Sequence, residues 1–305
     1  MILVWGISED GPVRAVREAL AREGEAPLML DQFDVAQSDL SFAETDASDG
    51  WLTFGDKCIE LSSITTVYPR PYESARVLKA AGEVDFEAAQ HAAKFDDTLL
   101  LWLELTPALV VNVPSAMTSN GSKPLQSAMI AAAGFDVPDT LLTTDAQAAA
   151  EFRDRHGRVI YKSIGGVRSR VSLLEEQALG RIANGASPLQ LQEYIPGTDL
   201  RVHVVGNEVF ACTIESEAVD YRYPSTQPEE PRIKACSLPA MISDRCIALT
   251  RLLGLSLAGI DLRRGNDGRW VCFEANPSPG YTFYEQATGA GITAALARLL
   301  RSPEN

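Results

Sequence analysis

Two acids and an amide near the end of the chain have a spacing that suits a strand but a chemistry that does not. The stretch VCFEANPSPG (271–280) places Glu274 and Asn276 two residues apart. Strand side chains alternate between faces. This predicts Trp270, Cys272, Glu274 and Asn276 on one face, with Val271, Phe273 and Ala275 on the other. Upstream, LAGIDLRRGNDGRW (257–270) contains Asp267-Gly268, a two-residue hairpin signal of the type I′ kind. With that pair as the loop, Asn266 pairs with Arg269 and Asp261 falls opposite Glu274. Two carboxylates about 4 Å apart repel by roughly 4 kcal/mol at an effective dielectric near 20. A hard divalent cation offsets that repulsion, and Mg²⁺ takes a few carboxylates together with waters and phosphates. A solvated hairpin face on which the acids never meet is the competing reading.

Other residues suit a phosphate-bearing ligand. Lys162 ends the apolar run RVIYKSIGG just before Gly165 and Gly166. A lysine there reaches a phosphate, and glycines let backbone N–H groups approach it. The Walker A spacing is absent. Lys123 opens a helix after MTSNGS, where the helix dipole already favours an anion. Either lysine alone reads more readily as a solvated surface charge; the pair around one glycine-rich loop is what points to a phosphate. Gln192, Glu193, Tyr194 and Ile195 lie where a strand runs out into Pro196-Gly197. A strand end offers backbone donors and acceptors of the kind an adenine edge needs; it is also what any sheet edge looks like. Asp199, Arg201 and His203 then alternate on one face, opposite Leu200, Val202 and Val204. Arg201 beside a cation site could stabilise a transferring phosphoryl group, or could pair with Asp199 on a solvent-facing strand. Arg222, in DYRYP, is a second candidate cation.

The elements that must position these residues read as follows. MILVWG (1–6) is a strand, Gly11-Pro12 opens a helix, and APLMLDQ (26–32) is a second strand, an α/β beginning. A hairpin is expected about Gly55-Asp56, a strand at 65–72, a long helix over 83–106 and a strand at 109–114. A boundary near Pro114 precedes a helix that stops at Gly134. Strands follow at 158–166 and 189–197, with a short helix after the glycine pair. A hairpin about Gly206-Asn207 comes next, then a charged loop over 217–235, a helix at 242–254, the acidic hairpin and a last helix at 291–301.

The 305 residues suffice for two or three compact units. At 46% hydrophobic and 22% charged, the chain can bury a sizeable core. A net charge of −14 argues against broad binding to a nucleic-acid backbone. The five cysteines form no C-x-x-C pair, which points to reduced, mostly buried thiols and a cytoplasmic protein. His91, His156 and His203 lack metal-ligand spacing. The N-terminus is not expected to be a signal peptide. The apolar stretch at 99–113 is cut by Glu104 and Pro107, so no membrane span is expected.

Taken together, the order Lys123, Lys162 with its glycines, QEYIPGTDLRVHVVG and GIDLRR…FEANPSPG resembles the ATP-grasp superfamily, and most closely its RimK-like carboxylate–amine ligases. The likeness covers about residues 115–300. It implies an α/β (α+β ATP-grasp) fold in three parts: an N-terminal pre-grasp domain (1–114), a small lid subdomain (115–191) and a C-terminal subdomain with the metal site (192–305). It further implies that Lys123 and Lys162 hold ATP phosphates, with Gly165 and Gly166 in the covering loop. Gln192, Glu193, Tyr194 and Ile195 would line the adenine pocket, and Asp199 would face the ribose. Arg201, seconded by Arg222, would stabilise the transferred phosphoryl group. Asp261, Glu274 and Asn276 would bind two Mg²⁺ ions.

SAMTSNGSKPLQ, YKSIGGVRS and VDYRYP narrow the likeness to maturases of microviridin-type (graspetide) ribosomal peptides. These join side-chain carboxylates of a precursor peptide to hydroxyls or amines. The segment Tyr68-Pro69-Arg70-Pro71 departs from the Tyr-Arg-Arg-Pro of that group. Lids are expected at 163–170 and 217–235, where Arg168, Arg170 and Arg222 could meet a carboxylate-bearing substrate. A homodimer is the oligomeric expectation. Other readings are a RimK-like ligase acting on a free amino acid or protein tail, a nucleotide-binding regulatory protein without turnover, and a metal hairpin with no nucleotide.

Overall fold

The structure, a computed structural model, describes residues 1–82, 85–163, 172–174, 189–216 and 231–302. β1 (Ile2–Gly6) is buried at every position, as a strand covered on both faces must be. With β2 (Leu28–Asp31) it begins a parallel sheet, the two joined by helix α1 (Gly11–Arg22). β3 (Asp39–Ala43), β4 (Asp46–Phe54) and β5 (Lys57–Glu60) form a separate antiparallel sheet. The expected Gly55 turn lies between the last two, with Gly55 at φ +52. β6 (Thr66–Arg70) and β7 (Leu109–Val110) complete the parallel sheet in the order β2-β1-β6-β7. Helices α2 (Ser74–Ala81) and α3 (Phe86–Leu105) lie between them in sequence. The strand expected at 109–114 is shorter than its apolar run, because Pro114 starts a helical turn, α4 (Pro114–Met117).

Helix α5 (Lys123–Ala132) begins at Lys123 and gives way to Gly134 at φ +87. β8 (Thr140–Thr143), helix α6 (Ala146–His156), β9 (Val159–Ser163), β10 (Ser172–Leu173) and β11 (Leu189–Glu193) follow. Their sheet runs β10-β9-β11-β8. Its apolar face, with Leu141 and Leu191, packs on Phe152 of α6.

The largest sheet has the order β14-β13-β12-β15-β16. Its strands are β12 (Gly197–Val205), β13 (Glu208–Glu215), β14 (Arg232–Cys236), β15 (Leu257–Gly265) and β16 (Trp270–Asn276). Leu200, Val202 and Val204 on β12 and Ala258, Ile260 and Leu262 on β15 face a core shared with the helix Ala240–Leu252. β14 corrects the loop expected over 217–235: Thr213 pairs with Lys234 and Ile214 with Ile233, so its last residues extend the sheet.

The first sheet is tied to the last. Ile292, Leu296 and Leu300 of the final helix, Ile292–Arg301, share a core with Val4, Val16 and Tyr68. Buried Asn112 makes four hydrogen bonds across the junction. Its Nδ2 donates to the carbonyls of Leu257 (2.8 Å) and Pro277 (2.7 Å). Its Oδ1 accepts from the N–H groups of Ser256 (2.7 Å) and Leu257 (3.1 Å). One amide thus fixes the start of β15 and the exit of β16. Asn112→Ala strands these groups in the interior and is expected to cost about 3 kcal/mol, read as a lower denaturation midpoint at unchanged m-value.

Candidate active site

Asp261 is the Cα partner of Glu274, as the sequence predicts, but the route to that register differs. The turn is wider than two residues. Gly265 N–H donates to the Arg269 carbonyl (2.9 Å), leaving Asn266, Asp267 and Gly268 as the loop, and Arg264 pairs with Trp270. The register therefore starts one residue off, and a bulge between Asp261 and Leu262 restores it. That bulge also corrects the expected faces. Trp270, Cys272 and Ala275 contribute to one core, so Cys272 does not share a face with Glu274. The extra residue breaks strict alternation. Asn276 lies opposite Gly259, two residues from the acid pair.

Arg201 sits beside Asp261, as its register partner on β12. Its Nη1 donates to Asp261 Oδ1 at 2.7 Å, its Nε faces His203 Nε2 at 3.4 Å, and its guanidinium lies 5.5 Å from the Tyr284 ring centre. Arg201 and His203 are 6% and 1% exposed, which excludes a solvent-facing strand. Burial, then the adjacent Arg201 charge, push the His203 pKa well below its usual value, so the ring stays neutral. Gly259 makes room: a Cβ there would stand 2.1 Å from Arg201 Nη2 and 2.7 Å from Pro279 Cβ. Sequence reasoning missed Gly259, because its neighbours come from another strand and from the loop after β16.

Asp199 is engaged rather than open. Arg263 grips it from Nε (2.7 Å) and Nη2 (2.8 Å), while Nη1 donates to the Ile195 carbonyl (2.8 Å). The same guanidinium lies 5.3 Å from the Phe273 ring centre and 5.9 Å from that of Tyr194. Arg263 is a second residue the sequence reading missed; its only local signal is the Leu-Arg-Arg run. The spare backbone donors expected at the end of β11 are partly spoken for. Glu193 N–H donates to Asp139 O and Tyr194 N–H to Arg158 O, both at 3.0 Å.

Lys123 and Glu274 line one narrow cleft with Gln126, Gln190, Gln192 and Phe273. A wider cavity of about 500 Å³ shares Ser127 and Gln190 with it and reaches Asp139, Thr140 and Glu193. Lys162 is the register partner of Gln190, which sets its backbone beside this cleft; its side chain lies outside the described residues. So do Gly165, Gly166, Arg168, Arg170 and Arg222, the short helix after the glycine pair, and most of both expected lids. Gln126, also missed, braces β16 between the two polar residues: its Nε2 donates to Ala275 O (2.9 Å) and its Oε1 accepts Ala275 N–H (3.1 Å). Arg70 links the first sheet to the PSPG loop through Ser278 Oγ (2.8 Å) and Pro279 O (3.1 Å), and pairs with Asp10 at 2.6 Å.

The residues present fit Mg²⁺. The Glu274 carboxylate carries no hydrogen bond or ion pair among the described residues, and Arg201 takes one oxygen of Asp261. Asn276 adds an amide oxygen, which accepts Ser278 N–H at 2.9 Å. No group of three His, Cys, Asp or Glu gathers among the described residues; two carboxylates and an amide, completed by water and phosphate, are the hard-oxygen set this ion takes. A thiol nucleophile is disfavoured, since burial pushes Cys212 up to about 11 and Cys246 up to about 12. Among the described residues no helix is long and apolar enough to cross a membrane.

The neutral His203 has a pH signature. Unfolded, it takes up a proton as pH falls through about 6.5; folded, it resists. Its contribution is therefore complete above that pH and is lost below it. His203→Gln is expected to remove up to ~1.4 kcal/mol per pH unit from the slope of stability between pH 6.5 and 5, measured by denaturant melts of both proteins.

The geometry agrees with what the chain is similar to. The family described as RimK-like ATP-grasp domain matches residues 120–300. Beta-citrylglutamate synthase B of Danio rerio is 26% identical over 219 residues, 68% of this chain and 54% of that protein. The ribosomal protein bS6–L-glutamate ligase of Escherichia coli is 29% identical over 181 residues, 56% of this chain and 60% of that protein. The chain thus spans little more than half the length of these curated relatives. The ATP-grasp ligase PsnB, solved with a phosphomimetic variant of a minimal precursor, Mg and ADP, superimposes with a TM-score of 0.80. It is 27% identical, over 98% of this chain and 97% of that one. With the family match spanning more than half its length and the paired acids joined to a buried arginine through Asp261, this chain belongs to the RimK-like ATP-grasp family.

Proposed function

We propose that this chain is an ATP-dependent ligase that joins a carboxylate to an amine or hydroxyl through an acyl phosphate, with a ribosomally made precursor peptide as substrate. The observation that carries the reading is Asp261 opposite Glu274, with Arg201 bonded to Asp261 and Lys123 in the same cleft as Glu274. A substrate carboxylate attacks the γ-phosphorus and ADP leaves. An amine or hydroxyl then displaces phosphate, and the nucleophile's proton is lost. Held by Asp261, Glu274 and Asn276, Mg²⁺ would supply charge neutralisation on the phosphates. Arg201, fixed by Asp261 and backed by neutral His203, presents positive charge to the transferring group without further reorganisation. Lys123, at a helix N-terminus, adds charge for the phosphate chain. Arg222 is retained in a seconding role.

PsnB supports the peptide reading because that likeness runs the length of both chains. The E. coli glutamate ligase, alike over 56% of this chain, supports the second reading, addition of an amino acid to a protein tail. Two ions rather than one, domain limits at 114 and 191, a homodimer and a cytoplasmic setting belong to the proposal. The experiment is incubation with ATP, Mg²⁺ and a peptide encoded beside the gene, followed by mass spectrometry. Loss of one water per bond supports maturation; a gain of glutamate mass on a protein substrate supports the second reading.

Two variants test the site. Glu274→Gln is expected to keep the fold and lose Mg²⁺-dependent ADP release by a factor of about 10² or more; near-normal release removes the metal assignment. Gly259→Ala pushes on the Arg201 guanidinium. It is expected to lower kcat by about 10-fold or more with a smaller change in ATP affinity; an effect confined to affinity counts against the role given to Arg201.

A further inference from the structure

Gln190 is the unexplained polar group of the cleft. It is 4% exposed, its Oε1 has no hydrogen-bond partner, and it lines both the narrow cleft with Lys123 and Glu274 and the wider cavity reaching Thr140 and Glu193. Its neighbours on β11 are accounted for. Leu191 is buried in the core beneath α6, and Gln192 reaches Thr140 Oγ1 at 3.3 Å. A buried amide oxygen left without a donor costs on the order of 1–3 kcal/mol, so a polar residue here needs a reason that the ligand-free fold does not supply.

Resting on the ligase reading above, we propose that Gln190 recognises the nucleoside part of the bound nucleotide, its side-chain carbonyl accepting a hydrogen bond from an N–H or O–H of the base or sugar. The unmet group is an acceptor, and ionised phosphates carry no donor for it. The donors of ATP are the adenine 6-amino group and the ribose hydroxyls. The location agrees. Gln190 lines both the narrow cleft that holds Lys123 and Glu274 and the roomier cavity bounded by Val137, Pro138 and Leu142. Gln190 is thus a specificity-determining residue that contacts substrate without taking part in bond making.

Gln190→Leu removes the orphan acceptor and keeps a similar volume. The ligand-free variant is expected to melt at or above the wild-type temperature, because replacing an unsatisfied polar group by an apolar one relieves its cost. Its Kd for ATP, read from Mg-ATP-dependent thermal shifts and by calorimetry, is expected to rise about 5- to 10-fold, the worth of one net hydrogen bond. Inosine triphosphate, which lacks the 6-amino group, and 2′- and 3′-deoxy-ATP identify the donor. Wild type should lose affinity for the analogue missing that donor, and Gln190→Leu should no longer distinguish it from ATP.

Three results overturn the proposal: an unchanged ATP Kd, a variant that separates every analogue as wild type does, or a ligand-free variant that is less stable with its nucleotide response intact. The last would mean that a group of the protein satisfies the amide. Gln190→Met, of matching length, replaces the leucine if that variant does not fold. Wild type that binds no nucleotide at all removes the ligase reading itself, a result distinct from the other three.

Discussion

Like charge held at one level of a sheet is the constraint around which the molecule is arranged. Asp261 and Glu274 cannot drift apart without breaking the pairing of β15 and β16. That pairing is anchored by a core containing Ile260, Leu262, Cys272 and Ala275. Carboxylates on directly paired residues repel when their side chains meet, unless a cation answers them. Arg201 covers one oxygen of one acid, and Lys123 lines the same cleft as the other. The remaining oxygens stay half-exposed at the mouth of a cleft, where a divalent ion can reach them. The sheet is therefore a scaffold that presents oxygen ligands of the kind the proposed metal-nucleotide site would use.

The arginine is held from several directions. A free guanidinium near a phosphate would have to be ordered each time, at a cost in side-chain entropy. Here Asp261, His203, the ring of Tyr284 and the open space over Gly259 fix it beforehand. Neutral His203 matters in this arrangement: a second positive charge beside Arg201 would be buried with no acid of its own. Arg263 repeats the device next door, gripping Asp199 and the Ile195 carbonyl while two aromatic rings flank it. One arginine is buried and the other half-buried, and each is held by an acid of the neighbouring strand.

What the sequence makes legible is local. The apolar run at Ile2–Gly6, the Gly55 and Gly206 turns and the helix opening at Lys123 all follow from propensity and pattern over a few residues. The opposition of Asp261 and Glu274 is legible too, though through compensating differences: a loop one residue longer than the Asp-Gly rule gives, and a bulge that no pattern marks. β14 is hidden because its exposed residues, Arg232 and Lys234, read as loop chemistry when they are edge-strand charges. Gly259, Gln126, Asn112 and Arg263 act through partners on other elements, most of them dozens of residues away, so composition and periodicity carry no trace of their work.

Those long-range partners also explain why the first sheet belongs to the site. The family match begins at residue 120, yet three contacts carry the earlier chain into the chemistry. Asn112 holds both ends of the acidic hairpin, at Leu257 and Pro277. Arg70, at the end of β6, reaches Ser278 and Pro279 in the loop that leaves Asn276. Leu296 and Leu300 of the last helix are buried with Val4 and Val16. A displacement of the first sheet would therefore move the loop that follows Asn276, and Gly259 through Pro279, which stands 2.7 Å from where its Cβ would be. The strand that carries Glu274 is thus positioned from three sides: by its own core, by Gln126 of α5 and by the N-terminal sheet. Metal-ligand geometry tolerates errors of only a few tenths of an ångström, and bracing from three independent elements is how a hairpin with a bulge in it could meet that tolerance in the proposed metal role.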